Sequence, residues 1–336
     1  MNEKILLGHG AGGKLTQELV ERLFKKKFDN RLLDALGDSA VFDNLAFTTD
    51  AFVVKPLFFP GGDIGKLAIC GTVNDLAVSG ANPLYISAAA IIEEGFPISG
   101  PDSLEKIAAS MKNAADEAGV KIVTGDTKVV EKGSADGLFL TTSGIGALHP
   151  AAGGGFSAAN IAPGDAVIIN GSIAEHGIAV LKAREQFDFK YDIQSDCAPL
   201  SGIIKNVLDS GVKVKFMRDP TRGGLAATLN EIAGGNNFGI LLEEALIPVK
   251  EEARAICSLL GFDPLYIANE GKFVLICSSE DAEKAIKVMM KHPYGKNAAV
   301  IGTVTDNDKG RVVLKTLSGG KRLVDMPVSG QIPRIC

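Results

Sequence analysis

The chain has 336 residues, is 46 % hydrophobic and 22 % charged, and carries a formal net charge of −5, a balance that suits one large or two ordinary domains with a real core. Its densest basic run is Lys25-Lys26-Lys27, which argues against a nucleic-acid surface; no signal peptide and no stretch of roughly 20 apolar residues is evident, so a cytoplasmic protein is expected. Five scattered cysteines (70, 197, 257, 277, 336) without a C-x-x-C, and four histidines without an i,i+4 pair, argue against a disulfide framework and a zinc site.

GHGAGGK (8–14) comes first. It satisfies G-x-G-x-x-G through Gly8, Gly10 and Gly13, and opens like a P-loop through Gly8, Gly13 and Lys14. Leu15 stands where a P-loop needs Ser or Thr, and no βαβ unit follows. What survives is a glycine-rich loop ahead of a helix, able to bring backbone N–H groups to phosphate, or else a flexible arm. Leu15, Leu19 and Leu23 predict an amphipathic helix over 14–28. Residues 40–54 read as two strands joined at Asp43-Asn44, 64–81 as a buried helix, 84–92 as a strand and 102–118 as a surface helix ended by Gly119. KIVTGDTKVV and LFLTTSGIGAL read as further strands.

The stretch 151–165, AAGGGFSAANIAPGD, is the best linker. After it come a strand at 165–170, a helix at 173–186, a helix at 222–233, a strand at 273–278, a helix at 281–291, and strands near 298–304 and 311–316. Helices mix with hairpin-like strands and no regular βαβ alternation appears. The pattern predicts an α+β protein of two domains, 1–155 and 156–328, with a tail at 329–336.

Aspartates occupy unusual contexts. Asp38 lies in LGDSAVF, Asp50 in FTTDAFVV, Asp75 in GTVNDLAVSGA, Asp126 in VTGDTKVV and Asp219 in MRDPTRGG. Asp75 interrupts an otherwise apolar helix, and a buried carboxylate is costly without a partner. Converging carboxylates repel one another unless a cation holds them, and hard oxygen ligands suit Mg²⁺. Each has a plainer reading: Asp38 as a turn, Asp219 as an N-cap with Pro220 behind it. Residues 217–233 again have anion-binding character, with Arg222 available to phosphate or to solvent. Glu270 precedes a strand in ANEGKFVLI, facing either a cleft or water.

Taken in order, GHGAGGK, GDSAVF, TTDAFVVKPLFFPGGDIGKLAICGTVNDLAVSGA, VTGDTKVV, NGSIAEHGIAVL, MRDPTRGGLAATLNEIA, NEG and the terminal PRIC resemble the hydrogenase maturation carbamoyl dehydratases, the HypE family. The resemblance covers almost the whole chain. The wider superfamily holds aminoimidazole ribonucleotide synthase, selenophosphate synthase and thiamine-monophosphate kinase. Ala11 stands where selenophosphate synthases carry a reactive cysteine or selenocysteine, and the other two have no use for PRIC. An alternative of a different class is a nucleotide-binding interaction protein with a docking tail.

The resemblance implies a two-domain ATP-binding fold, commonly a homodimer built on the N-terminal domains. It implies that a partner carbamoyltransferase loads Cys336 and that ATP drives dehydration of the carbamoyl group to a thiocyanate. The cyano group then passes to an iron-carrying scaffold complex, as a cyanide ligand of nickel–iron hydrogenase. Phosphorylating the thiocarbamate oxygen makes it a good leaving group, and the nitrogen must lose protons to a base. On this resemblance the nucleotide lies against Gly10, Gly12, Gly13, Lys14, Asp38, Asp50, Asn74, Asp75, Asp126, Asp219 and Arg222. Mg²⁺ is held by Asp38, Asp50, Asp75 and Asp219. Glu270 is the base, and Lys128 the cation at the transferred phosphoryl group; sequence does not settle which of the two moves the proton. Eight extended residues span roughly 25–30 Å. With Gly330 as hinge and Pro333 as stiffener, 329–336 reads as a swinging carrier arm.

Overall fold

The computed structural model describes residues 4–33, 36–184, 192–332 and 334–336. The predicted N-terminal helix, α1, is present but not uniform: Lys14–Leu19 is α-helical, Val20–Lys25 widens into a π-helical turn and Lys26–Phe28 closes it.

A first sheet holds β1 (Ala40–Phe42), β2 (Leu45–Phe52), β5 (Ala81–Glu93), β6 (Lys121–Val130) and β7 (Leu138–Leu148) in the order β1-β2-β7-β5-β6; β3 (Phe58–Phe59) and β4 (Gly62–Asp63) form a separate small hairpin. Only β5–β6 pairs parallel in this sheet. The central helix α2 (Ile64–Val78) starts where the Asp63 carboxylate accepts from the amides of Gly65 (2.7 Å) and Lys66 (3.1 Å). Every α2 residue except Lys66 and Asp75 is buried. It lies close on β7 because Gly144 has no side chain: a Cβ there would come within 2.7 Å of Thr72. Leu67, Ile69, Val73 and Leu76 are fully buried, each worth about 1.5–3 kcal/mol. The helix stops short of the predicted 64–81, because Gly80 turns with φ +86° and Ala81 already begins β5. On the surface, α3 (Leu104–Ala118) is capped by Ser103 and ended by Gly119 in the left-handed region.

The second sheet has the order β14-β13-β10-β12-β8-β11-β9. Its strands are β8 (Ala166–Ile169), β9 (Val214–Arg218), β10 (Gly239–Glu243), β11 (Val274–Cys277), β12 (Ala299–Thr305), β13 (Val312–Lys315) and β14 (Lys321–Leu323). Helices α5 (Ser201–Asp209), α6 (Gly224–Ala233) and α8 (Ser279–Met289) pack against it, while α4 (Glu175–Ala183) and α7 (Glu251–Leu260) join the cluster built on α2. The predicted helix at 173–186 is α4; 185–186 lie outside the described residues. Helix 222–233 begins at Gly224, with Gly223 and not Asp219 at its N-cap, which corrects the capping reading of Asp219. Neither α5, β9, β10 nor α7 was expected from the sequence. One apolar cluster crosses both sheets' territory, joining Leu67 and Val73 of α2 to Ile178 of α4, Ile256 of α7 and Ile332 and Ile335 of the tail. Among the described residues no helix is long and apolar enough to cross a membrane.

Candidate active site

Strand β2, helix α2 and the turn after β9 meet at a cleft of about 230 Å³ lined by Asp38, Asp50, Asp75, Asp219, Glu270, Arg222, Gly12 and Cys336, among others. Residues scattered over the whole chain are thus gathered on one wall. Asp50 comes from the end of β2, Asp75 from the last turns of α2, and Asp219 directly follows β9.

The cleft is strongly negative. Burial, then Asp219, Asp50 and Asp38, push the Asp75 carboxyl well above its ordinary value, with a Thr48 hydroxyl at 2.8 Å acting the other way. Asp219 is likewise pushed well up, by burial first and by Asp38. Asp38 and Asp50 are raised less far. Their burial is opposed by Arg218, 3.1 Å from Asp38, and by Arg222 respectively. Arg218 also holds Glu231 at 3.2 Å. Neighbouring carboxylates raise Asp75 and Asp219, whereas Arg218 and Arg222 offset part of the charge at Asp38 and Asp50. Among the described residues, no three Asp, Glu, His or Cys groups are set to hold a metal by themselves.

Glu270 is 3 % exposed, and its Oε1 has no hydrogen-bond partner. Burial, then Cys197, Asp219, Asp196 and Asp50, push its carboxyl well above the usual range. Its backbone is fixed from two sides. Asp196 accepts from the amides of Glu270 (3.1 Å) and Gly271 (3.3 Å), and the Asn74 amide donates to the Glu270 carbonyl (3.2 Å).

The described residues of the tail, 329–332 and 334–336, lie docked against the first domain's chain. The Lys55 amide donates to Arg334 O and the Val53 amide to Cys336 O. Arg334 returns a bond to Val53 O (3.0 Å) and pairs with Asp136, while Arg184 donates to Arg334 O (3.0 Å). Ile332 and Ile335 are buried. Cys336 borders both the acidic cleft and a second pocket lined by Gly10, Val53, Arg222, Gly223 and Gly330. Burial, offset in part by Arg222 and reinforced by Glu270 and Asp50, pushes its thiol up. The other four cysteines are buried and unpaired.

Several expected site residues stand elsewhere. Asn74 does not face the cleft; its Nδ2 donates to Ala198 O and Glu270 O, and its Oδ1 accepts from Leu200 N (2.8 Å), so its amide is spent on backbone. Asp126 and Lys128 lie on exposed β6, paired with each other at 2.7 Å and remote from this chain's cleft. Lys14 is exposed beside Glu18, its amide bonded to Pro327 O. The glycine loop closes one end of the cleft: Gly12 packs on Arg222, whose Nη1 donates to Gly10 O (3.2 Å), and a Cβ on Gly13 would overlap Pro327 O. Arg218, Thr48, Glu231 and Asp196 escaped the sequence reading. Only Arg218, adjacent to Asp219, offered a local signal.

Residues 36–148 match the AIR synthase related protein N-terminal domain and residues 162–315 its C-terminal domain. The chain is 48 % identical to the carbamoyl dehydratase HypE of Cupriavidus necator, over 99 % of this chain and 95 % of that protein. It is 44 % identical to that of Escherichia coli, over 99 % of both. A HypE solved in complex with ATP superposes with a TM-score of 0.81 at 46 % identity, covering 99 % of this chain and 100 % of that one. A chain of a HypE–HypF complex superposes at 0.87 with 51 % identity, covering 92 % and 99 %. A thiamine monophosphate kinase shares the fold at 16 % identity, with a TM-score of 0.65.

Proposed function

The chain belongs to the carbamoyl dehydratase HypE family, and from that premise we propose that Cys336 carries a carbamoyl group into the acidic cleft, where Glu270 removes protons from it. The enzyme is an ATP-dependent carbamoyl dehydratase, a lyase coupled to ATP hydrolysis, that serves hydrogenase maturation. The observation that carries the assignment of residues is the unpartnered Glu270 Oε1, buried in the same cleft as Cys336. A carbamoyl nitrogen on that sulfur offers N–H donors to an acceptor that has none, and a carboxylate with raised proton affinity is a stronger base than an exposed one.

The donor set fits a magnesium nucleotide. Asp38, Asp50, Asp75 and Asp219 would hold Mg²⁺ between themselves and the phosphates, Arg222 and the Gly10–Gly13 loop facing the phosphate oxygens. ATP supplies the phosphoryl group that turns the carbamoyl oxygen into a leaving group. Around it, the chain's own residues act by placement: Asp196 and Asn74 hold the Glu270 backbone, Val53 and Lys55 hold the tail, and the buried Ile332 and Ile335 set its depth.

The product is a thiocyanate on Cys336, whose cyano group passes to an iron-carrying maturation scaffold. A carbamoyltransferase loads the sulfur; the HypE–HypF complex of a relative supports a protein partner. Both encounters require the tail 329–336 to leave its dock and act as a carrier segment beyond domains 1–155 and 156–328. A homodimer forms through the first sheet: β6 is its edge strand and is exposed along Lys121–Val129, Val123 and Val129 included, which a free strand rarely tolerates. That contact would bring Lys128 and Asp126 toward a second copy. Four buried free thiols suit a reducing cytoplasm.

The experiment is intact-mass analysis after incubation with the carbamoyl-donating partner, then ATP and Mg²⁺. The wild-type chain should gain a carbamoyl group and lose one water. Cys336→Ala should never load, and Glu270→Gln should load without losing water. Loading of Cys336→Ala, or dehydration by Glu270→Gln at the normal rate, would remove the assignment.

A further inference from the structure

We infer that His176, backed by Ser195, is the positioning residue that clasps the docked tail and sets Cys336 against Glu270; the inference rests on the carrier reading of Cys336. His176 lies in the first turn of α4, fully buried, and takes no part in the chemistry above. Its Nε2 stands 2.8 Å from the carbonyl oxygen of Ile335. A carbonyl only accepts, so Nε2 carries the hydrogen and Nδ1 is the acceptor. The Ser195 hydroxyl donates to Nδ1 at 2.8 Å, and its own oxygen accepts from the Cys197 amide at 3.1 Å. The ring stands edge-on to Phe59, 5.4 Å between centroids. Burial lowers the imidazole's proton affinity, against an opposing pull from Asp196, and the two ring-nitrogen contacts select the tautomer.

The clasp shares its anchor with the base. Ser195 holds His176, and the next residue, Asp196, holds the amides of Glu270 and Gly271. The Ser195 amide is itself tied to Pro60 O at 2.8 Å, and Gly61 leaves no room for a Cβ beside it. One short segment therefore fixes the height of the tail and the place of the carboxylate that acts on its cargo. Val53 and Lys55 grip the tail from the first sheet's side; His176 grips the intervening residue from the other. Without it the buried Ile335 carbonyl docks unpaired, at the cost of a lost hydrogen bond in a dry site.

The test compares His176→Ala, His176→Gln and Ser195→Ala with the wild type in the full-length protein. Three quantities are read: carbamoyl loading of Cys336 by the transferase, the single-turnover loss of water after adding ATP and Mg²⁺, and the rate of Cys336 alkylation by iodoacetamide. The His176→Ala chain should load normally, alkylate roughly five- to twentyfold faster and dehydrate slower by a similar factor. The Gln side chain keeps an N–H donor, so His176→Gln should recover most of both rates. Ser195→Ala, which leaves the ring in place, should shift both rates the same way by a smaller factor; it decides the question if His176→Ala does not fold. Wild-type alkylation and dehydration rates in His176→Ala or Ser195→Ala would overturn the inference, as would a Gln variant no better than Ala. Loading of a Cys336→Ala chain run alongside sinks the carrier reading instead, so the two failures are told apart.

Discussion

The Val53 amide donates to the main-chain oxygen of Cys336 at 3.0 Å, and two residues along the Lys55 amide donates to that of Arg334 at 3.2 Å. Two main-chain bonds thus fix the tail at alternate residues. The end of the tail thus docks beside the chain leaving β2, the strand that also delivers Asp50, and the cargo-bearing sulfur and the acidic wall share one support.

Acidity of the cleft has a measurable sign. Asp75 and Asp219 have raised proton affinity in the fold, against an ordinary value of 3.8 in the open chain. Such groups contribute stability that is complete below the unfolded value and is lost as pH climbs through the folded one. The nucleotide-free wild type is therefore expected to melt at progressively lower temperature as pH rises above the unfolded value. Asp75→Asn should flatten that slope and raise the melting temperature at neutral pH, while weakening Mg–ATP binding at least about tenfold. Calorimetric melting across pH, with and without Mg–ATP, checks both. A variant with the wild-type slope and undiminished affinity would remove Asp75 from the cluster's electrostatics.

Gly271 is fixed by sterics. A Cβ there would overlap the Asp196 carbonyl oxygen, the residue whose carboxylate holds the Glu270 amide. Gly271→Ala is expected to cost ~1–3 kcal/mol of stability in urea unfolding and to slow dehydration more than it weakens ATP binding. Equal stability of the two chains would mean the segment relaxes freely.

Lys128 offers a test of assembly. It stands on β6, at the opposite side of the sheet from β2, and does not line the cleft of its own chain, yet the reaction calls for a cation at the phosphoryl group. Lys128→Ala and Glu270→Gln homodimers should each be inactive in dehydration, and mixing the two under subunit exchange should restore part of the activity, because one hybrid site is intact. No recovery in verified heterodimers would confine Lys128 to a surface pair with Asp126.

The acidic wall was legible because each aspartate interrupts an apolar or glycine-rich context: Asp75 stands in α2 among residues that are otherwise almost all buried. The helix of 64–81 and the strands around 121–148 followed from length and pattern. Less visible was everything fixed by partners distant in sequence. Asn74 reads as a ligand beside Asp75, but its amide is consumed by the backbone at Ala198, Leu200 and Glu270, between 124 and 196 residues away. His176 and Asp196 gain their roles only once α4, the segment before α5 and the tail meet. The stretches forming α5, β9, β10 and α7 gave no reading strong enough to place them, because their periodicity is short and their burial is decided by the second sheet. The π-helical turn of α1 left no mark in the apolar spacing of Leu15, Leu19 and Leu23.

Because the clasps on the tail close on main-chain atoms of Arg334, Ile335 and Cys336, they are blind to what the sulfur bears. An empty arm meets the same clasps as a laden one, and only the partnerless oxygen of Glu270 tells them apart. The pocket then cannot screen arrivals at the door; it inspects the parcel only after the arm is seated. Idle arms compete with freight for the same berth, and the tempo of the cycle falls to how quickly a spent arm lets go.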